Sequence, residues 1–410
     1  MSLNRRTLLA TAATSSVLTL PASVKAQAVP TLKIGCLTDM SGPYKDIAGP
    51  GALAAVHQAL EEYGVSAKGM KVEVLSADHL NKPDVGVTVA RQWFDRDGVD
   101  MVVEVANSGV AIAVAGVARE KNKVYINTGA ATSDLTSKDC NANTIHWVYD
   151  TYMLSRSTGA ALVKAGGDTW FFITADYAFG KALQRDTTEF VESAGGKVLG
   201  SIAYPFPGTS DFSSYLIQAQ SSGAKVLGMS NAGADTINTI KQAAEFGITK
   251  KMRLAGLLLF LTDIHSLGLE IAQGIVLTDS FYWDMNDRAR AFSNRFSPKI
   301  GGVRPTMVHA GVYSSVLHYL KTASAMGVDK AKLDGAATVA QMKKMPTDDD
   351  CFGPGSIRAD GRKLHPAYLW EVKKPSESKG AWDYYKPLAT TPADQAFRPI
   401  EKGACPLVKS

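Results

Sequence analysis

The chain has 410 residues, of which 45% are hydrophobic, and it carries a formal net charge of +5 at pH 7. Its length exceeds what one hydrophobic core usually supports, so two domains are expected. Arg5, Arg6 and Lys25 supply three of the excess positive charges, and the sequence after residue 28 is close to neutral. This balance excludes a basic surface for nucleic acid or anionic lipid, and no later apolar run is long enough to insert the mature chain into a membrane.

Residues 1–28 are predicted to be an export signal that is removed from the folded protein. The string NRRTLL at 4–9 is similar to a twin-arginine export signal, and a modestly apolar run continues to residue 20. The small-residue site at 26–28 predicts cleavage before Val29. An ordinary secretory signal is the alternative. Either route takes the chain out of the cytoplasm, and the periplasm is the expected compartment.

After the signal, short β-branched runs alternate with amphipathic stretches, which predicts parallel sheets covered by helices. The first unit has predicted strands at 32–37, 71–75, 101–105 and 124–127 and predicted helices at 51–63, 84–94 and 110–119. A second unit has predicted strands at 170–174, 197–204, 226–230 and 253–261 and predicted helices at 181–193, 212–220 and 236–246. The expected fold class is therefore α/β, with two doubly wound parallel sheets.

The rest of the chain returns to helices. An apolar run at 275–282 precedes three predicted helices at 288–296, 307–326 and 335–342. Residues 357–388 then resemble a β-hairpin with Asp360-Gly361 at its turn.

This order suggests that two lobes exchange segments of the chain. We expect an N-terminal lobe of 29–149 plus 284–353 and a C-terminal lobe of 150–283 plus 354–410. Three hinge crossings are expected, near 148–152, 280–285 and 350–358.

Four cysteines remain in an oxidising compartment, where disulfides persist. Cys36 lies inside an apolar strand and is expected to be a buried free thiol. Cys140 and Cys405 lie in polar, loop-like sequence and are the favoured disulfide pair. Cys351 is a competitor for either partner, because sequence alone does not fix connectivity.

The sequence offers no constellation typical of an enzyme or a metal site. The seven histidines are scattered and form no metal-type pair on one helix face. Gly180-Lys181-Ala182 lacks the hydroxyl of a phosphate-binding loop, and no Gly-x-Ser-x-Gly nucleophile motif is present. The acidic run Asp348-Asp349-Asp350 is interpreted as a solvated loop, with a cation site as the alternative. We predict no catalytic residue, no metal and no cofactor.

Polar loops of small residues follow several predicted strands, at 38–44, 107–109, 127–133 and 175–180. Open α/β sheets bind ligands at the carboxyl ends of their strands. Hydroxyls and free N–H groups at helix N-termini suit an anionic ligand. Contact with the ligand is the favoured role of Ser108 and Thr132, and simple helix capping is the alternative.

Several ordered motifs carry a resemblance to a known family. They are Ser41-Gly42-Pro43-Tyr44, Asn107-Ser108-Gly109, Gly129-Ala130-Ala131-Thr132 and Asp176-Tyr177-x-x-Gly180. Together they resemble the periplasmic leucine/isoleucine/valine-binding protein family, over about 32–370. The family consists of solute receptors of ABC importers with the type I periplasmic-binding fold. The tail, at 360–363 and 382–385, is similar to a subgroup that includes receptors for aromatic acids.

The resemblance implies a site in the cleft between the lobes. The ligand carboxylate would lie against Ser108 and the loop 129–132, and Tyr177 would close from the second lobe. A shift of one residue would place the family's threonine contact on Ala131, where it is lost. The full set of predicted ligand contacts is Tyr44, Asn107, Ser108, Gly109, Ala130, Ala131, Thr132, Tyr177, Asn231, Asp235 and Phe260.

One departure from the family bears on the ligand. Its amino-acid receptors hold the ligand ammonium with an acid from a late strand of the second lobe, and here 257–261 contains no carboxylate. Asp235 and Asp263 are possible substitutes, although each has a structural interpretation as a cap or a loop residue. A buried ammonium without an acidic partner is disfavoured.

The predicted ligand is therefore a small aromatic or aliphatic carboxylate, and the predicted macromolecular partner is the permease of an ABC importer. A branched-chain amino-acid receptor is the alternative within the class. A ligand-sensing module of a signalling system is the alternative from another class.

Overall fold

The computed structural model describes residues 30–408 of the chain. The predicted export signal at residues 1–28 lies outside the described residues. The remainder forms two β-sheets with helices packed around them.

The first sheet is built from the N-terminal part of the chain. Its strands are β1 Thr31–Thr38, β2 Lys71–Asp78, β3 Met101–Glu104, β4 Val124–Asn127 and β5 Thr144–His146. The helices between them are α1 Gly49–Tyr63, α2 Pro83–Gln92 and α3 Ser108–Glu120. All five strands are parallel, in the order β2-β1-β3-β4-β5. β3 and β4 are buried along their whole length, as expected for strands that are covered on both faces.

The second sheet has seven strands. They are β6 Thr169–Ala175, β7 Lys197–Tyr204, β8 Val226–Ser230, β9 Arg253–Gly256, β10 Val276–Asp279, β11 Ala367–Val372 and β12 Tyr385–Thr391. The helices of this part are α4 Thr151–Leu154, α5 Ala160–Lys164, α6 Ala178–Ser193, α7 Ser213–Ser221, α8 Ala234–Glu245, α9 Leu261–Leu267 and α10 Leu269–Ala272. The order is β12-β11-β10-β9-β8-β6-β7; β11 pairs antiparallel with both β10 and β12, and all the other pairs are parallel. The predicted pair of doubly wound units is confirmed.

The later helices return to the first sheet. They are α11 Asp287–Phe296, α12 Met307–Met326, α13 Val328–Leu333 and α14 Gly335–Lys344, and the short α15 Ala393–Ala396 follows β12. α12 packs along α1, and Thr306 at its N-cap donates a hydrogen bond from Oγ1 to the Ile47 carbonyl at 2.9 Å. A Cβ at Gly51 would lie 2.3 Å from His309 Nε2, so this helix contact requires a glycine.

The predicted strand at 253–261 was too long. β9 ends at Gly256, and α9 begins at Leu261. The Asp263 carboxylate accepts the Phe260 N–H at 3.0 Å and so fixes the start of the helix. A continuous apolar run does not distinguish a buried strand from the approach to a buried helix.

The third crossing also differs from the prediction. Asp360-Gly361 forms the expected turn, with Ile357 paired to Lys363, but Arg362 bridges to His146 of the first sheet. The buried Arg362 guanidinium donates to the Val148 carbonyl. This segment therefore lies on the first lobe, and the chain enters the second sheet only after it, at β11. The assignment of all of 354–410 to the second lobe is corrected accordingly.

Cys140 and Cys405 are joined by a disulfide, which ties the C-terminal segment to the first lobe across 265 positions of sequence. Cys36 and Cys351 are buried free thiols. The acidic run next to Cys351 is only partly solvated: Asp349 is buried, and its Oδ1 accepts the N–H groups of Cys351 and Phe352.

Candidate ligand-binding site

A small cavity of about 10 Å³, enough for about one water molecule, lies between the lobes, where the carboxyl ends of strands from both sheets meet. Loops that follow parallel strands converge at this edge, which is where open α/β sheets bind ligands. None of the lining side chains carries a charge. The wall consists of Tyr44, Ile47, Ala106, Gly129, Ala131 and Tyr149 from the first lobe and Tyr177, Phe179, Ala232 and Leu258 from the second.

Direct contacts join the two lobes beside this cavity. The phenolic oxygens of Tyr44 and Tyr177 lie 2.5 Å apart, and the Tyr177 ring stacks on Phe206 with centroids 4.4 Å apart. The Ala234 N–H donates to the Pro43 carbonyl at 3.1 Å. Two surfaces that interact only when the cleft is shut are thus in contact, so the molecule is in a closed arrangement.

Three of the predicted contacts line the cavity: Tyr44, Ala131 and Tyr177. The loop that carries Tyr44 is shaped by Asp39, whose carboxylate accepts the N–H groups of Gly42 at 2.6 Å and Tyr44 at 2.9 Å. Tyr177 lies at the N-cap of α6. Both tyrosines are therefore positioned by the turn that follows the first strand of their lobe.

Ser108 is the first residue of α3 and is completely buried. Its Oγ accepts the Thr132 N–H at 3.2 Å, which ties α3 to the loop after β4. Among the hydrogen bonds of residues 30–408, none takes the hydroxyl proton of Ser108, so this group is available to donate. Ser108 itself is not part of the cavity wall, although Ala106 and Ala131 on either side of it are.

Other predicted residues of the first lobe have structural roles instead. Asn107 caps α3, with its Oδ1 accepting the N–H groups of Gly109 and Val110. Thr132 caps the short turn after it, with its Oγ1 accepting the Asp134 N–H. Capping satisfies amide donors that lack a partner inside the helix. As ligand contacts, Asn107, Gly109 and Thr132 are therefore not supported by the cavity geometry.

The loop after β4 alternates its side chains between the cavity and the core. The N–H and carbonyl of Ala130 both bond to the Asn127 side chain, and Ala130 packs in the core of the first lobe. Ala131 faces the cavity with a methyl group. The cavity wall at this loop is therefore the Ala131 methyl group, and the Thr132 hydroxyl is not part of it.

The predicted residues of the second lobe also lie outside the lining. Asn231 bonds to Thr236 and Thr239. Asp235 accepts the Tyr204 hydroxyl at 2.7 Å, and burial raises its pKa to about 6.

Phe260 is buried at the start of α9, with its ring centroid 5.9 Å from that of Tyr149. It supports the cavity wall from behind.

Sequence reasoning missed most of the apolar wall. Tyr149 is the largest of these residues, and its hydroxyl donates to the Gly129 carbonyl at 2.5 Å. Tyr149 lies at the end of the first lobe, just before a predicted crossing, and this position could have indicated that it faces the cleft. Gly129 and Phe179 lie in the loops 129–132 and 175–180 that the sequence had indicated, although neither was named as a contact. The remaining wall residues are small or aliphatic and had no chemical signature: Ile47, Ala106, Ala232 and Leu258.

Within residues 30–408, no group of three His, Cys, Asp or Glu side chains is arranged to hold a metal ion. Every helix in that range is too short or too polar to span a bilayer.

Several known proteins are similar to this chain in sequence and in structure. A periplasmic binding protein from Burkholderia mallei is 50% identical, with a TM-score of 0.89 over 92% of this chain and 99% of that one. A branched chain amino acid ABC transporter periplasmic ligand-binding protein from Burkholderia xenovorans is 40% identical, with a TM-score of 0.80 and the same coverage. Leu/Ile/Val-binding protein homolog 3 from Brucella melitensis is 26% identical over 61% of this chain and 67% of its own length.

A solute-binding protein from R. palustris in complex with benzoate shares the fold alone, at 21% identity and a TM-score of 0.78 over 88% of this chain and 96% of that one. The family model described as periplasmic binding protein matches residues 31–381. Because this match spans both lobes, the chain belongs to the periplasmic binding protein family.

Proposed function

We propose that the protein is the periplasmic receptor of an ABC importer, that it is not an enzyme, and that it captures a small carboxylate between its lobes. The observation that carries this proposal is the cavity at the strand ends, which has walls from both lobes and is closed by the contact of Tyr44 with Tyr177. A ligand that touches both walls favours the closed form over the open one. The closed form then docks on the permease.

The carboxylate is assigned to the first lobe. The Ser108 hydroxyl is a donor near Ala106 and Ala131, and it lies at the N-terminus of α3, where the helix dipole favours negative charge. Hydrogen bonds to a charged group contribute about 1.5–3 kcal/mol each. Two or three of them, together with burial of an apolar body, support an affinity in the micromolar range or tighter.

The body of the ligand is assigned to the apolar wall. Ile47, Phe179 and Leu258 provide aliphatic and aromatic surface, and Tyr149 and Tyr177 add ring faces. Such a wall stabilises an aromatic or aliphatic group and offers it little polar contact. An aromatic acid or a branched aliphatic acid has the apolar body that this wall would bind once the lobes part to admit it, because the closed cavity is too small for either.

The lack of an acid in the wall argues against an amino-acid ligand. Asp235 is bonded to Tyr204, and Asp263 is bonded to the Phe260 amide. An ammonium group in the cavity would be buried without a carboxylate partner. A branched-chain amino acid is nevertheless the second candidate, because the names of the Burkholderia xenovorans and Brucella relatives point to such ligands.

Matched ligands separate the two candidates. Leucine and 4-methylpentanoate share a carbon skeleton and differ in the ammonium group, as do phenylalanine and 3-phenylpropanoate. We expect thermal-shift measurements to show stabilisation by the ammonium-free member of a pair, or by 4-hydroxybenzoate, since a bound ligand at 100 times its Kd adds about 2.7 kcal/mol. Stabilisation by leucine without any by 4-methylpentanoate would establish the amino-acid receptor instead.

A further inference from the structure

Glu104, the last residue of β3, is a buried acid without a partner. Its side chain is fully inaccessible to solvent, and neither carboxyl oxygen has a hydrogen bond of good geometry. Among the ion pairs of residues 30–408, none includes Glu104. A buried carboxylate without a cation is strongly disfavoured, so burial favours the protonated form of this group.

This carboxyl lies directly behind the cavity wall. A Cβ at Gly129 would lie 1.9 Å from Glu104 Oε1 and 2.8 Å from the Ala106 Cα. Gly129 and Ala106 both line the cavity. Only one layer of backbone therefore separates the Glu104 carboxyl from the space in which the ligand is proposed to bind.

The backbone is held in an unusual conformation to place this side chain. Glu104 has φ +84° and Val105 has φ +69°, two successive non-glycine residues in the left-handed region. Each such residue costs on the order of 1–3 kcal/mol, and strain of this kind is concentrated at functional sites. The strained backbone is independent of the lack of a counter-charge, and it also indicates that Glu104 has a functional role.

The groups that face Glu104 do not compensate a negative charge. Thr38 of β1, Tyr125 of β4 and Tyr149 are neutral, and Asp39 is an acid. The buried Cys36 thiol, whose pKa is raised by burial and by Glu104, is neutral as well. Burial is the dominant influence and raises the pKa of Glu104 to about 8, against smaller opposing effects of Thr38 and the Val105 amide.

We infer that Glu104 is a proton-linked gate on ligand capture: its neutral form permits a carboxylate in the cavity, and its ionised form repels one. The inference rests on the proposed function and deepens it, because it makes an anion rather than a zwitterion the preferred ligand. Glu104 acts as a positioning residue behind Gly129. Since anion binding and ionisation of Glu104 oppose each other, affinity falls by up to tenfold per pH unit once Glu104 ionises.

The test compares wild type with Glu104→Gln, which keeps the shape and cannot ionise. Binding of 4-hydroxybenzoate, 4-methylpentanoate and leucine is measured by calorimetry at pH 6 and pH 9. We expect the wild-type affinity for a bound carboxylate to fall at least fivefold from pH 6 to pH 9, and the affinity of the Gln variant to change less than twofold. Asp139→Asn is the control, because burial also raises the pKa of the Asp139 carboxyl, which is not part of the cavity wall, and the variant should leave the wild-type profile unchanged.

Wild-type protein alone supplies a readout that does not depend on a variant folding. Binding at pH 8 should take up a fraction of a proton, which calorimetry in two buffers of different ionisation enthalpy detects. Parallel pH profiles in wild type and Glu104→Gln, or no proton uptake, would overturn the gate and leave the proposed function standing. Leucine affinity that rises with pH and is lost in Glu104→Gln would make Glu104 an ammonium partner and overturn the gate. Failure of all three probes to bind at pH 6 would overturn the proposed function and the gate together.

Discussion

Tyr44 in the loop after β1 and Tyr177 at the start of α6 share a hydrogen bond of 2.5 Å between their phenolic oxygens, across the gap between the lobes. Phe206 lies beside both, with its ring centroid 4.4 Å from that of Tyr177 and 5.6 Å from that of Tyr44. Burial raises the pKa of both tyrosines well above the ordinary value, so one hydroxyl donates and the other accepts throughout the physiological pH range. The closed cleft is therefore held by a polar contact and by an aromatic stack.

Tyr177→Phe should remove the polar contact and keep the stack. A neutral hydrogen bond contributes about 0.5–1.5 kcal/mol, so we expect ligand affinity to fall by about threefold to tenfold. Calorimetry measures the loss, and small-angle scattering should show a larger radius of gyration without ligand. Tyr215→Phe is the control, because Tyr215 lies on α7 away from the cavity. Equal ligand affinity in wild type and Tyr177→Phe would show that the hydrogen bond between Tyr44 and Tyr177 does not stabilise the closed form.

Ser108→Ala should weaken ligand binding by at least several-fold. The change removes the free hydroxyl donor and also the acceptor of the Thr132 N–H, so the anion-binding end of the first lobe loses two features at once. Isothermal calorimetry measures the affinity, and the melting temperature reports whether the fold is intact. Ser222→Ala at the end of α7 is the control. Unchanged affinity would remove Ser108 from the site.

Removal of the disulfide should destabilise the protein without abolishing ligand recognition. The bond closes a loop between Cys140 and Cys405 that includes the whole second sheet, and loss of a native disulfide typically costs about 2–5 kcal/mol. We expect a double Cys→Ser variant at these positions to show this loss in denaturant unfolding and to bind ligand with an affinity within about threefold of wild type. If the double variant unfolds at the same denaturant concentration as the wild type, the prediction is contradicted.

Lys363→Met should stabilise the protein at neutral pH. The Lys363 ammonium is buried without a hydrogen-bond partner, 4.3 Å from the centroid of the Phe352 ring, and burial lowers its pKa to about 8. Below pH 8 the unfolded and folded chains both carry the charge, and the folded state bears the cost of burying it. We expect a gain of about 1–3 kcal/mol at pH 7 in urea unfolding.

The sign of the pH dependence follows from the lowered pKa. Between pH 8 and 10.5 the unfolded chain binds more protons at Lys363 than the folded chain, so wild-type stability gains from rising pH and the advantage of Lys363→Met shrinks. Lys181→Met on the exposed face of α6 is the control and should change stability by less than about 0.5 kcal/mol. An advantage that grows from pH 8 to pH 10 would contradict this account.

Periodicity predicted most of the strands and helices correctly, because each doubly wound unit repeats a local pattern of buried strand, loop and amphipathic helix. It failed at 257–260, where the apolar run continues past the end of β9 and the side-chain cap from Asp263 decides where the helix begins. It also failed for the segment around Arg362, whose place is decided by hydrogen bonds to His146 and Val148 in a distant part of the chain.

The sequence by itself determined the fold class, the family and the edge of the sheets at which the site lies, because these follow from local periodicity and from ordered motifs. Only the tertiary structure decided which side chains form the wall. Ser, Thr and Asn after a strand serve equally well as helix caps and as ligand contacts, and the difference depends on where neighbouring amides lie. The unpartnered Glu104 behind Gly129 was hidden for the same reason: burial and the absence of a counter-charge are properties of a neighbourhood that distant segments create.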